Sequence, residues 1–114
     1  MASDDRDSAL LHDMLRFSEE AVAYVAGLTY ERYRKDQIRM HALERVLEII
    51  GEAASHVTRS RQDANPEIPW KKVVGQRNVL AHMYGEIDQF QLFRTAREDL
   101  PGLAAILRKL LARS

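Results

Sequence analysis

Apolar residues recur at alternating steps of three and four along most of this 114-residue chain. That spacing belongs to amphipathic helices, not to strands, whose side chains alternate in twos. The breakers agree with it: five Gly and three Pro fall in a few places and leave long helical stretches between them. The pattern specifies an all-α chain.

Helix one is expected from about Asp4 to Ala26. Ser3 serves as its N-cap, Asp4, Asp5 and Asp7 suit the positive end of its dipole, and Gly27 stops it. Leu11, Leu15, Ala21, Val22 and Val25 form its inward stripe. Leu28 to Lys35 reads as a polar and aromatic connection in which Thr29 caps a short turn. From Asp36 the repeat resumes through Met40, Leu43, Leu47, Ile50, Ala54 and Val57, a second long helix ending near Arg59. Gly51 inside it costs roughly 1 kcal/mol against Ala, and points to the close approach of another helix.

Arg61 to Pro69, with Gln62, Asp63, Asn65, Pro66 and Pro69, reads as a loop. Pro69 suits the first position of a third helix with Trp70, Val73, Val74, Leu80 and Ala81 on its apolar side. That helix should run out near Met83, with Gly85 free to take positive φ. Asp88 caps the last segment, where Phe90, Phe93, Ala96, Leu100, Leu103, Leu107 and Leu110 repeat helically. Pro101 within that run predicts a kink or break between Asp99 and Gly102. The economical fold is a single domain over 1–114, a four- or five-helix up-and-down bundle broken near Pro101.

Seventeen basic residues balance seventeen acidic ones, so no global basic field exists to hold nucleic acid non-specifically. The absence of Cys excludes a disulfide scaffold, a thiolate metal site and a cysteine nucleophile. No apolar run approaches the roughly 20 residues that span a bilayer, and Ser3-Asp4-Asp5-Arg6-Asp7 is not a basic-then-apolar leader. A soluble cytoplasmic protein with no membrane partner is expected. His12, His41, His56 and His82 include no His-x-x-x-His pair, and the Glu44, Glu48, Glu52 row reads as a solvated face near Arg45 and Arg59. Neither a metal nor a cofactor is expected. His12, His41 and His56 read as surface or boundary residues.

Residues 74 to 84 differ, because polar and ionisable side chains gather at the end of an otherwise apolar helix. Arg77 shares the helical face of Trp70, Val73, Val74 and Ala81, the face expected to be buried, and an Arg there needs a reason. Asn78 and His82, four apart, stack on one face, while Arg77 and His82 diverge by about 140°. Two readings stand side by side. One is a buried network in which Arg77 caps carbonyls and His82 closes the helix C-terminus; the other is a catalytic site.

The spacing Arg77, four residues, His82, one residue, Tyr84 resembles the R-x-x-x-x-H-x-Y signature of HepT-like proteins, a branch of the HEPN superfamily of small helical ribonucleases in which Asn commonly follows the Arg. Leu47-Glu48-Ile49-Ile50-Gly51-Glu52-Ala53-Ala54, Pro66-Glu67-Ile68-Pro69-Trp70 and Glu98-Asp99-Leu100-Pro101 also look like that branch, so the resemblance spans essentially the whole chain. It implies close helix packing at Gly51 and a HEPN-type bundle. The implied activity is that of a metal-independent RNA endonuclease, the toxin of a toxin–antitoxin pair whose cognate antitoxin is a nucleotidyltransferase. Arg77 and His82 become the catalytic residues, with Asn78 and Tyr84 in support. A homodimer, with higher assembly open, would place two motifs in one composite cleft, and AMP transfer to Tyr84 would silence it. A HEPN scaffold that binds a nucleotidyltransferase or a nucleotide without catalysis is the alternative. Local charge fits an RNA cleft: Arg59 to Tyr84 carries five cations against two carboxylates, whereas residues 1 to 20 are net acidic.

Overall fold

The computed structural model describes residues 2–82 and 87–113, with side chains over 4–76 and 87–113. Among the described residues the elements are α1 (Ala2–Val25), α2 (Tyr30–Tyr33), α3 (Gln37–His56), α4 (Arg59–Ala64), α5 (Trp70–His82), α6 (Gln89–Arg94), a π-helical turn (Thr95–Asp99) and α7 (Leu100–Ala112), with no strand. The all-α reading stands. None of these helices is long and apolar enough to cross a membrane.

Helix α1 lies between α3 and α7, and α3 also packs against α5. Polar contacts at the ends give the directions. Thr58, just past α3, donates its N–H to Asp7 near the start of α1 (3.0 Å), and Arg39 at the start of α3 donates to the carbonyl of Tyr24 near the end of α1 (2.9 Å). Arg97, before α7, reaches the carbonyls of Val25 and Leu28, while Arg108 further along α7 meets Glu19 (3.2 Å). Both neighbours therefore run antiparallel to α1, the up-and-down arrangement. The stripes read from the sequence largely fill the interior: Leu11, Ala21, Val25, Leu43, Leu47, Ile50, Leu103 and Leu107 are buried, whereas Leu15 and Val22 are half-buried and Met14, outside the expected stripe, is buried.

The capping chemistry works largely as the residue types dictate. Thr29, Asp36 and Asp88 each accept a backbone N–H three residues on, and Gly27 takes φ +73° to end α1. Several expectations need correction. Helix α1 starts at Ala2, so Ser3 lies inside it instead of capping it. Helix α3 ends at His56, because Thr58 turns the chain and accepts from the N–H of Arg61, starting α4 inside the expected loop. The break attributed to Pro101 comes earlier, as the π-helical turn; Leu100 N–H reaches back to the carbonyl of Thr95, and Pro101 then sits in the first turn of α7, where its missing N–H costs nothing. Phe90, placed on the apolar repeat, is 49% exposed and rests its edge on Tyr30 (5.0 Å between ring centres). Gly51 is buried on α3. Gly85 lies outside the described residues.

Candidate active site

Helix α5 carries the candidate residues, and its start is fixed by a compact turn. Asn65, buried, donates its side-chain amide to the carbonyl of Arg61 (2.9 Å), and its own carbonyl receives the indole N–H of Trp70 (3.0 Å). Ile68 is buried, and the carbonyl of Pro69 accepts from the N–H of Val73 (3.0 Å), which places Pro69 at the head of the helix. Val73 then points into the core, with Trp70 and Val74 half-buried beside it. The helix continues unbroken through Arg77 and Asn78 to His82. The structure thus brings these three onto one element. Their side chains, and Tyr84 altogether, lie outside the described residues.

The neighbours of the motif are on the page. One residue before Arg77, Gln76 donates its amide to the hydroxyl of Thr95 in the π-helical turn (3.3 Å), and Lys72, one turn earlier, meets Asp99 (3.0 Å). After the motif the chain is held at Gln89, whose amide donates to Glu44 and whose carbonyl oxygen accepts the hydroxyl of Tyr33 (2.7 Å). Burial pushes the Tyr33 phenol well above its ordinary pKa, and the carboxylate of Glu44 pushes it further. Gln76, Thr95, Gln89 and Tyr33 escaped the sequence reading as site neighbours, and Glu44 was read as part of a solvated face. Only the position of Gln76 next to Arg77 could have drawn notice, since Thr95 reaches it from the π-helical turn and Tyr33, Gln89 and Glu44 meet from three separate elements.

Two grooves flank α5. One, of about 360 Å³, has Val73, Leu100, Leu103 and Ile106 as apolar walls and Lys72, Gln76 and Thr95 among its polar lining. The other, of about 520 Å³, lies toward α4 and is lined by Trp70, Val74, Arg59, Lys71, Gln62 and Asp63. The basic stretch is partly offset, because Arg59 pairs with Asp63 (3.3 Å) and Lys72 with Asp99. The Glu row divides. Glu48 and Glu52 sit at the surface with Arg45 and His56, as a solvated face should, whereas Glu44 is half-buried in the Gln89 contact. His12, His41 and His56 are exposed. Among the described residues, no group of three or more His, Asp or Glu side chains could hold a metal ion.

The family model described as "Ribonuclease HepT-like" matches residues 14–110. A Methanocaldococcus jannaschii protein whose name gives it provisionally as an RNase is 33% identical over 93 residues, 82% of this chain and 85% of its own. A Thermococcus cleftensis protein named probable ribonuclease HepT is 32% identical over 100 residues, 88% of this chain and 91% of its own. No solved structure matches.

Proposed function

The chain belongs to the ribonuclease HepT-like family, and from that premise we propose that it is a metal-independent RNA endonuclease with Arg77 and His82 as its catalytic residues. The observation that carries this reading is the R-x4-H spacing on α5, a helix continuous through His82 and tied beside Arg77 by the hydrogen bond from Gln76 to Thr95. The chemistry suits the residue types. His82 supplies an imidazole that takes the proton from a ribose 2′-hydroxyl. The 2′-oxygen then attacks phosphorus, the bond to the 5′-oxygen breaks, and a second imidazole returns a proton to that leaving oxygen. The products are a 2′,3′-cyclic phosphate and a 5′-hydroxyl end. Arg77 presents paired N–H donors to the phosphorane oxygens as charge builds on them.

One imidazole cannot act as base and acid in the same step. A C2 homodimer with facing motifs supplies His82 of the partner subunit as the second, and also resolves the divergence of Arg77 and His82 around one helix. Asn78 orients the substrate or His82, and Tyr84 lines the cleft. In the biological setting this reading assigns, the protein is the toxin of a pair, and a cognate nucleotidyltransferase silences it by transferring AMP from ATP to the Tyr84 hydroxyl with release of pyrophosphate. The adduct places a bulky anion beside Arg77, where the RNA phosphate would bind.

The deciding experiment is RNA cleavage in EDTA by wild type, His82→Ala and Arg77→Ala, each checked for folding by thermal melting. The wild type should leave cyclic phosphate ends, and each variant should lose at least about 10²-fold in rate. Full activity in either variant, or cleavage that EDTA abolishes, would sink the assignment. A wild type with unmodified Tyr84 that cleaves no RNA class would instead favour the binding scaffold.

A further inference from the structure

The seam between α5 and the π-helical turn is closed by contacts one helical turn apart on each side: Lys72 with Asp99 and Gln76 with Thr95. The first pair is exposed and solvent-screened. The second is different. Thr95 is buried (4% exposed), Gln76 is half-buried, and the turn that holds Thr95 is itself irregular, with an i to i+5 bond from Leu100 to Thr95. A π-helical turn is rare, and it shifts the side chains that follow it out of α-helical register. Here it coincides with the hydrogen bond between Gln76 of α5 and the Thr95 hydroxyl.

We propose that Gln76 and Thr95 are positioning residues for the candidate site: their hydrogen bond sets the rotation of α5 about its axis, and so the direction in which Arg77, the next residue, leaves the helix. The inference rests on the reading of Arg77 as a catalytic residue. Apolar contacts of Val73 leave a helix free to roll through small angles, whereas a hydrogen bond to a fixed hydroxyl does not. Small misplacements of a phosphate-gripping group lower the rate of the chemical step more than they weaken binding.

The test compares Thr95→Val, which keeps the shape and removes the hydroxyl, with Thr95→Ser, which keeps the hydroxyl, and with Asp99→Asn across the same seam. Thr95→Val should lose about tenfold to 100-fold in kcat with KM nearly unchanged, Thr95→Ser should recover most of it, and Asp99→Asn should stay close to wild type. In ¹H–¹⁵N spectra the Arg77 Nε–Hε resonance should move in Thr95→Val and return in Thr95→Ser, a readout that holds even for a protein without activity. Wild-type kcat in Thr95→Val, an equal loss in Thr95→Ser, or an unmoved Arg77 resonance would each overturn the proposal. A kcat that Arg77→Ala leaves intact, alongside a resonance that still responds to the hydroxyl, would place the fault in the catalytic reading and not in the positioning.

Discussion

The seam between α1 and α3 and the seam between α5 and the π-helical turn are closed by different physics. The first is a run of buried apolar side chains, Leu11, Met14, Leu43, Leu47 and Ile50, with polar latches at its ends: Asp7, 2% exposed, accepts both the N–H and the hydroxyl of Thr58, and Arg39 donates to the Tyr24 carbonyl. The second has Val73 as the buried side chain among those described from Trp70 to Gln76, and is tied by a directional hydrogen bond to Thr95, with the exposed Lys72–Asp99 pair adding little. Apolar burial is non-directional and proportional to area, so it gives stability; a hydrogen bond demands a distance and an angle, so it gives orientation. The chain places its area in one seam and its angles in the other, where the motif is.

That contrast predicts which substitutions act on stability alone. Leu11→Ala, at a fully buried site on α1, should cost about 3 kcal/mol and lower the melting temperature by about 10 °C, while the kcat of the folded protein stays close to wild type. A kcat lowered as far as that of Arg77→Ala would break the comparison. Asp7→Ala should cost less, about 2 kcal/mol, because it leaves the Thr58 N–H without its acceptor but removes little apolar area. Asp7→Asn, which retains an acceptor oxygen, should recover part of that loss when both are compared by urea titration.

What was legible in the sequence follows the same division. Helices α1, α3, α5 and α7 came from periodicity, because each buries a stripe that repeats at 3.6 residues and the burial is local to the helix. Helix α4 did not: Gln62, Asp63, Asn65 and Pro66 have loop composition, and the cap that starts α4, Thr58, is held by Asp7, 51 positions away. The π-helical turn was missed for a related reason. Pro101 announced a break, but where the strain is taken up depends on Thr95 and Leu100, not on the proline alone. On the site, Arg77, Asn78 and His82 were placed on one helix by spacing. The contact that ties that helix, Gln76 with Thr95, and the one that anchors the start of α6, Gln89 with Glu44 and Tyr33, belong to no short-range pattern because they form only through tertiary packing.

The smallest expected effect on stability is the most informative about the comparison. Tyr33→Phe removes one hydroxyl, which donates to Gln89 just beyond the motif, and leaves the ring packed against Phe93 (5.2 Å). At neutral pH the loss should be about 1 kcal/mol or less. The alkaline limb sharpens it. The folded Tyr33 phenol has its pKa raised, so its contribution is fully present below the unfolded pKa of about 10; above that the unfolded chain ionises first, and stability falls by up to about 1.4 kcal/mol per pH unit. Urea midpoints from neutral to alkaline pH should therefore fall steeply for wild type and less for Tyr33→Phe, which keeps the limb from Tyr24, itself raised by burial and by Glu20. Because the cut bond anchors the segment that follows the motif, Tyr33→Phe should lower kcat more than Leu11→Ala does, although Leu11→Ala costs several times more stability. The reverse ranking would show that orientation in this protein comes from packed area after all.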